Sequence, residues 1–156
     1  MKHISVQDIM EKNVVSLRPE TTVAEAARLL ARHAFDGAPV LDKRDQLVGI
    51  LTEYDLVSKS SAIHLPTFQM ILENLKVFRD DRSQFKSEVK ELMSLTVKDI
   101  MNGDPLTLPD DATYQEVVAV FRDHHRVNPI PVINESRNVV GIVSRYDILK
   151  PLREIT

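Results

Sequence analysis

Apolar and polar positions alternate along this chain in two rhythms, and each rhythm is written twice. Val23, Ala26, Ala27 and Leu30 fall at i, i+3, i+4 and i+7, and Tyr114, Val117, Val118 and Phe121 repeat that spacing 91 residues later. One buried face on each of two helices is predicted. Short apolar runs flank a polar turn at Pro39–Leu41 and Leu47–Leu51, and again at Pro131–Ile133 and Val139–Val143. These predict two strand hairpins. Further short strands are expected over Val14–Leu17 and Leu106–Leu108. A hydroxyl residue followed three positions later by an acid marks a helix start, because the two side chains cap each other's backbone. Such boxes open short helices at Ser5/Asp8 and Thr96/Asp99, the amphipathic helices at Thr22/Glu25 and Thr113/Glu116, and closing helices at Thr52/Asp55 and Ser144/Asp147.

The two halves therefore share one grammar: helix, strand, helix, strand, strand, helix. The fold class is α/β. The match extends to the letters. VQDIM (Val6–Met10) recurs as VKDIM (Val97–Met101), and APVLDKRDQLVGI from Ala38 recurs as IPVINESRNVVGI from Ile130. The offset is 91 early and 92 late, so one residue is inserted near 124–128. A unit of about 55 residues buries too little surface to be comfortably stable alone. Two copies packed as one pseudo-symmetric module resolve that. The expected divisions are a first repeat over residues 1–58, an insertion over 59–95 and a second repeat over 96–156. Within the insertion, Phe68, Ile71, Leu72, Leu75 and Phe78 form one helical stripe and Phe85, Val89 and Leu92 a second. Two helices are predicted there, packed on the module or forming a subunit contact or a cover over a cleft.

Composition narrows the function. Of 156 residues none is cysteine, which excludes disulfides, thiolate nucleophiles and Cys-ligated zinc. The formal net charge of −3 comes with no basic stripe, so no nucleic-acid partner is expected. No apolar run approaches the length of about 18 residues that a membrane helix requires, and the N-terminus lacks a signal-peptide core. A cytoplasmic protein is expected. No nucleophile–base set, metal cluster or glycine-rich phosphate loop is present, so the chain reads as no enzyme and as needing no metal. His124 and His125, with Arg126 beside them, read as a solvated helix end or as groups facing a phosphate.

Candidate chemistry concentrates in GILTEYDL (Gly49–Leu56) and its copy GIVSRYDI (Gly141–Ile148). In each a strand runs straight into a helix, with a hydroxyl and an aspartate one turn apart: Thr52 with Asp55, Ser144 with Asp147. One reading is a cap and nothing more. The other uses the same geometry as a grip: the hydroxyl and unpaired N–H groups for a phosphate, the carboxylate for the cis-diol of a ribose.

The paired units, with their DIM openings, APV and IPV strands, and GILTEYD and GIVSRYD closings, resemble tandem CBS motifs. These are the cystathionine-β-synthase-type repeats that pair into a Bateman module. The resemblance implies a regulatory module binding adenosyl ligands: AMP, ADP or ATP, and in some members S-adenosylmethionine or NAD. It implies two clefts. One takes Ser144, Arg145 and Asp147 with Val15, Gly37 and Ala38; the other takes Thr52, Glu53 and Asp55 with Leu106, Thr107, Pro129 and Ile130. Arg145 matches Glu53 in position, so anionic nucleotides are expected to favour the Ser144–Asp147 cleft. A homodimer and a separate regulated partner chain are also implied. The competing reading is a scaffold whose motifs are caps only and whose insertion helices make the contacts.

Overall fold

The computed structural model describes residues 3–58 and 94–154. The two helices expected within the insertion lie outside those residues. Each repeat opens with a single-turn helix, α1 (Val6–Ile9) and α4 (Val97–Ile100), and continues into an amphipathic one, α2 (Val23–His33) and α5 (Tyr114–Asp123). The hairpins are β1 (Gly37–Leu41) with β2 (Leu47–Thr52), and β4 (Ile130–Ile133) with β5 (Val139–Val143). The short strand expected ahead of α5 is β3 (Leu108–Pro109), two residues later than its predicted start and paired parallel to β4. Its counterpart over Val14–Leu17 reduces to one bridge, Leu17 to Val40. Leu17 donates to the Pro39 carbonyl and accepts from Leu41, and Pro19, with no N–H to give, ends the ladder.

The closing helices differ between repeats. After Thr52 the chain forms α-helix α3 (Glu53–Val57), whereas the second repeat ends in a 3₁₀ run, Asp147–Glu154, that contains Pro151. Proline removes an N–H donor and crowds the carbonyl four residues back, which disfavours the α form there.

The opening helices are exchanged between the halves. Val6, Ile9 and Met10 pack with Leu108, Val117, Phe121, Ile130, Val132 and Val143 of the second repeat. Val97 packs with Leu17, Val23, Leu30, Val40 and Leu51 of the first. Backbone bonds fix the exchange. The Val6 and Glu11 amides donate to the Ala112 and Ile142 carbonyls, while the Val97 and Asn102 amides donate to Thr21 and Ile50. Gly49 and Gly141 make room for it. A Cβ on Gly49 would lie 2.6 Å from Met101 Sδ, and one on Gly141 would run into Met10. Neither core is built from one repeat alone, which is why the unit is the pair.

Candidate functional site

The exchange carries the segment after α1 across the internal two-fold, to the end of β5. There it walls a cavity of about 240 Å³. Glu11, Asn13 and Val15 form one side. Ala34, Phe35, Asp36 and Gly37, which link α2 to β1, form another. Pro129, Ile142, Ser144 and Asp147 close it. Ala34, left-handed at φ 52°, ends α2 and turns the chain into this wall.

Of the residues expected at this cleft, Ser144, Asp147, Val15 and Gly37 line the cavity together. Arg145 and Ala38 are not among its lining residues. Ala38 is fully buried in the core. Arg145 is exposed and points its guanidinium at the Val127 carbonyl, 3.5 Å away. Pro129, expected at the other cleft, faces this one. The missed residues are Glu11, Asn13, Ala34, Phe35, Asp36 and Ile142. Knowing that the opening segment crosses between repeats would have found Glu11 and Asn13. Asp36 and Phe35 are signalled by their place directly before Gly37.

Asp147 is committed on three sides. Its Oδ2 accepts from the Ser144 amide at 2.7 Å and from the Ser144 hydroxyl at 2.8 Å. Its Oδ1 pairs with Lys150 at 2.9 Å, and Lys150 also donates to the Ile9 carbonyl at 2.6 Å. A carboxylate offers about four lone-pair sites, so one remains on Oδ1. The Ser144 hydroxyl proton is spent on Asp147, leaving its oxygen as an acceptor. The Arg145 amide donates to Asn128 Oδ1 and the Asp147 amide to the Ser144 carbonyl. Asp147 therefore caps the Ser144 amide as the capping reading expects, while the Asp147 amide bonds the Ser144 carbonyl and not its hydroxyl, and Ser144 and Asp147 still border the cavity. The Ser144 hydroxyl and the Ser144, Arg145 and Asp147 amides, assigned to a phosphate from sequence, are occupied within the protein.

The remaining carboxylates in the wall are also held. Glu11 Oε1 accepts from the Asn13 amide at 2.8 Å, and Asp36 Oδ2 accepts from Asn128 Nδ2 at 2.8 Å. The wall thus carries three acids and no Lys, Arg or His.

At the matched position the Thr52 amide and hydroxyl both lie 2.8 Å from Asp55 Oδ2, and there the Asp55 amide also donates to the Thr52 hydroxyl at 3.3 Å. Among the described residues no cation pairs with Asp55. Glu53 is exposed, yet desolvation of its carboxyl, reinforced by the charges of Asp36 and Asp55, raises its pKa. Leu106 and Thr107 are half-buried and Ile130, the first residue of β4, is fully buried. Among the described residues no group of His, Cys, Asp and Glu is arranged to hold a metal ion, and no helix is long and apolar enough to cross a membrane.

The family model for the CBS domain matches residues 6–62 and 97–154. Inosine-5′-monophosphate dehydrogenase of Korarchaeum cryptofilum is 28% identical over 137 residues, covering 88% of this chain. The chain spans 22% of that enzyme's length. CBSX2 of Arabidopsis thaliana, solved in complex with AMP, superposes with a TM-score of 0.70 at 21% identity, covering 97% of this chain and 98% of that one. The CBS domain pair of protein MJ0100, solved with 5′-methylthioadenosine and S-adenosyl-L-methionine, superposes with a TM-score of 0.69 at 22% identity, covering 99% and 100%.

Proposed function

This chain belongs to the CBS-domain family as a CBS pair, and from that premise we propose that it is a regulatory module. It binds an adenosyl ligand between its repeats and passes the occupancy to a partner chain. The observation that carries this reading is the cavity in which Ser144 and Asp147 of one repeat meet Val15, Phe35 and Gly37 of the other. Its apolar walls suit a purine ring, and the remaining Asp147 lone pair suits one ribose hydroxyl. At about 240 Å³ it lies below the usual range of roughly 300–1,000 Å³ for ligand pockets, which favours one nucleoside over a dinucleotide such as NAD. The AMP of CBSX2 and the methylthioadenosine and S-adenosylmethionine of MJ0100 are ligands of this class.

Charge selects within the class. Glu11, Asp36 and Asp147 repel a polyphosphate, and the nearby amides are already bonded. We therefore rank a neutral or cationic 5′ end, then AMP, above ADP and ATP at this cavity. That inverts the preference suggested by Arg145 alone. The Thr52–Asp55 cleft is a second candidate, in which Asp55 has Oδ1 to offer both hydroxyls of a ribose.

Assembly as a homodimer belongs to the same reading. The closing helices leave Tyr54 (53% exposed), Tyr146 (65%) and Leu152 (58%) at the surface, the two tyrosines at matched positions. A two-fold partner covers them. The test of function is calorimetric titration with 5′-methylthioadenosine, S-adenosylmethionine, AMP and ATP, beside a folded Ser144→Ala, Asp147→Ala variant. Saturable binding in that order, lost in the variant, supports the reading. Absence of binding by all four returns the motifs to their capping role and favours the scaffold.

A further inference from the structure

Asp36 and Asn128 occupy matched positions, 92 apart, and meet across the internal two-fold. An unmodified duplication would set two like residues against each other there. This chain sets an acid against an amide, and the amide bonds in both directions. Asn128 Nδ2 donates to Asp36 Oδ2 at 2.8 Å, and Asn128 Oδ1 accepts from the Arg145 amide at 2.9 Å. The Asp36 carbonyl in turn accepts from the Glu53 amide at 2.9 Å. Three hydrogen bonds thus join the residue after Ser144 to the residue after Thr52. They run through Asp36, a residue of the cavity wall.

A second, independent contact runs alongside. A Cβ on Gly37 would stand 2.9 Å from Pro129 Cδ, 2.9 Å from Thr52 Cγ2 and 2.9 Å from the Leu51 carbonyl. Pro129 and Thr52, from opposite repeats, are therefore packed onto one glycine with no slack. Close-packed groups move together.

We propose that Asn128 is a positioning residue that couples the two clefts. Its amide ties Asp36, in the wall of the Ser144–Asp147 cavity, to the Arg145 backbone, and Asp36 holds the Glu53 amide through its own carbonyl. The proposal rests on the cavity's being the adenosyl site. A ligand that draws on Asp36 turns the Asn128 amide, which loosens the Arg145 amide and, through Asp36, shifts the Glu53 amide of the other repeat. Linkage makes the effect reciprocal, so a change at Thr52 or Glu53 alters affinity at the cavity.

The test is backbone amide NMR of the full chain, wild type against Asn128→Ala, first without ligand. Both the Arg145 and the Glu53 resonances are expected to shift, although the Glu53 amide bonds Asp36 and not Asn128. An unmoved Glu53 resonance overturns the proposal. Asn128→Asp serves as a second variant, because it keeps the shape and sets two carboxylates together, and the same two resonances are expected to move. Titration with 5′-methylthioadenosine follows. In wild type the Ser144, Asp147 and Glu53 amides are expected to move with one midpoint. In Asn128→Ala the Glu53 response is expected to fall at least twofold or to take its own midpoint. An unchanged Glu53 response in the variant also overturns the coupling. Ligand that moves neither Ser144 nor Asp147 refutes the functional reading instead, and the ligand-free comparison still decides the link.

Discussion

Replacing Asp147 with alanine separates its structural work into parts that can be measured. The carboxylate accepts two bonds from Ser144, at 2.7 and 2.8 Å, and pairs with Lys150 at 2.9 Å. Loss of a helix-entry cap costs about 1 kcal/mol. An exposed ion pair is worth about 0.5 kcal/mol, and this one has side-chain exposures of only 33% and 15%, so about 0.5–1 kcal/mol is the better figure. Lys150 keeps the Ile9 carbonyl after the substitution, so no ammonium is stranded. The expected loss is therefore about 1.5–2 kcal/mol. For a chain of this size that is roughly 3–8 °C in Tm. Asp55→Ala removes the matched cap without a described cation partner, so its loss is expected near 1 kcal/mol. Urea unfolding of both variants at low and at 1 M salt is the assay. Salt is expected to narrow the gap between them, since it screens the Lys150 pair and leaves the caps. Equal losses at low salt, or a gap that salt leaves untouched, refute the partition.

Three further perturbations test the fold and its electrostatics. Ile9→Ala, in a helix of the first repeat, is expected to cost about 2–5 kcal/mol and to raise hydrogen exchange in β4 and β5 before β1 and β2, because Ile9 is buried in the second repeat's core. Gly141→Ala is expected to cost about 1–3 kcal/mol by overpacking, and in combination with Met10→Ala the loss should be less than the sum, as measured by a double-mutant cycle. The pH dependence has a defined sign. Backbone and side-chain bonds hold Glu25, Asp42, Asp99 and Glu116 below their usual pKa, so their stabilisation is present above about pH 4.5 and is lost as pH falls through the folded values. Glu53 works the other way: its raised pKa destabilises the fold above that value, so Glu53→Gln is expected to raise the urea midpoint at pH 7 and to lose that advantage toward pH 4.

Local rules were readable wherever the relevant residues are neighbours in sequence. In all six hydroxyl–acid pairs the acid accepts from the amide and hydroxyl three residues before it, and at Thr22, Thr52 and Thr113 the hydroxyl also accepts from the acid's amide, because each needs only two groups three residues apart. The hairpins follow their polar turns, where Asp45 and Arg137 adopt matched left-handed conformations at φ 58° and 62°. What was hidden depends on distant partners. Val6 and Val97 open matched VQDIM and VKDIM segments, and nothing local says that each is buried in the other half. Glu11 and Asn13 escaped notice for that reason, since they reach the cavity only through the exchange. Pro129, expected with Thr52, lines the Ser144–Asp147 cavity because it packs on Gly37 where the repeats meet, a Cβ there standing 2.9 Å from Pro129 Cδ. Lys150 was legible in principle, three residues after Asp147, but a cation there is unremarkable until Asp147 is known to need a partner.

Duplication explains why the hydroxyl–aspartate motif occurs twice, and the substitutions that distinguish the copies explain why their surroundings are unequal. Core positions kept their chemistry: Ala38 and Ile130, Val40 and Val132, and Leu51 and Val143 are all buried and apolar. A change to a polar group there would cost several kcal/mol against a marginal total. Cleft positions had no such constraint, and there the charges diverged. Glu11 matches Asn102, Asp36 matches Asn128, Glu53 matches Arg145, and Lys150 matches Ser58. Each of these exchanges alters the net charge on one side of the two-fold while leaving the packing alone. A symmetric scaffold needs none of them. A module that reads two adenosyl ligands of different charge, or reads one ligand at one site and answers at the other, needs differences of this kind, placed beside Ser144 and Thr52 and away from the cores.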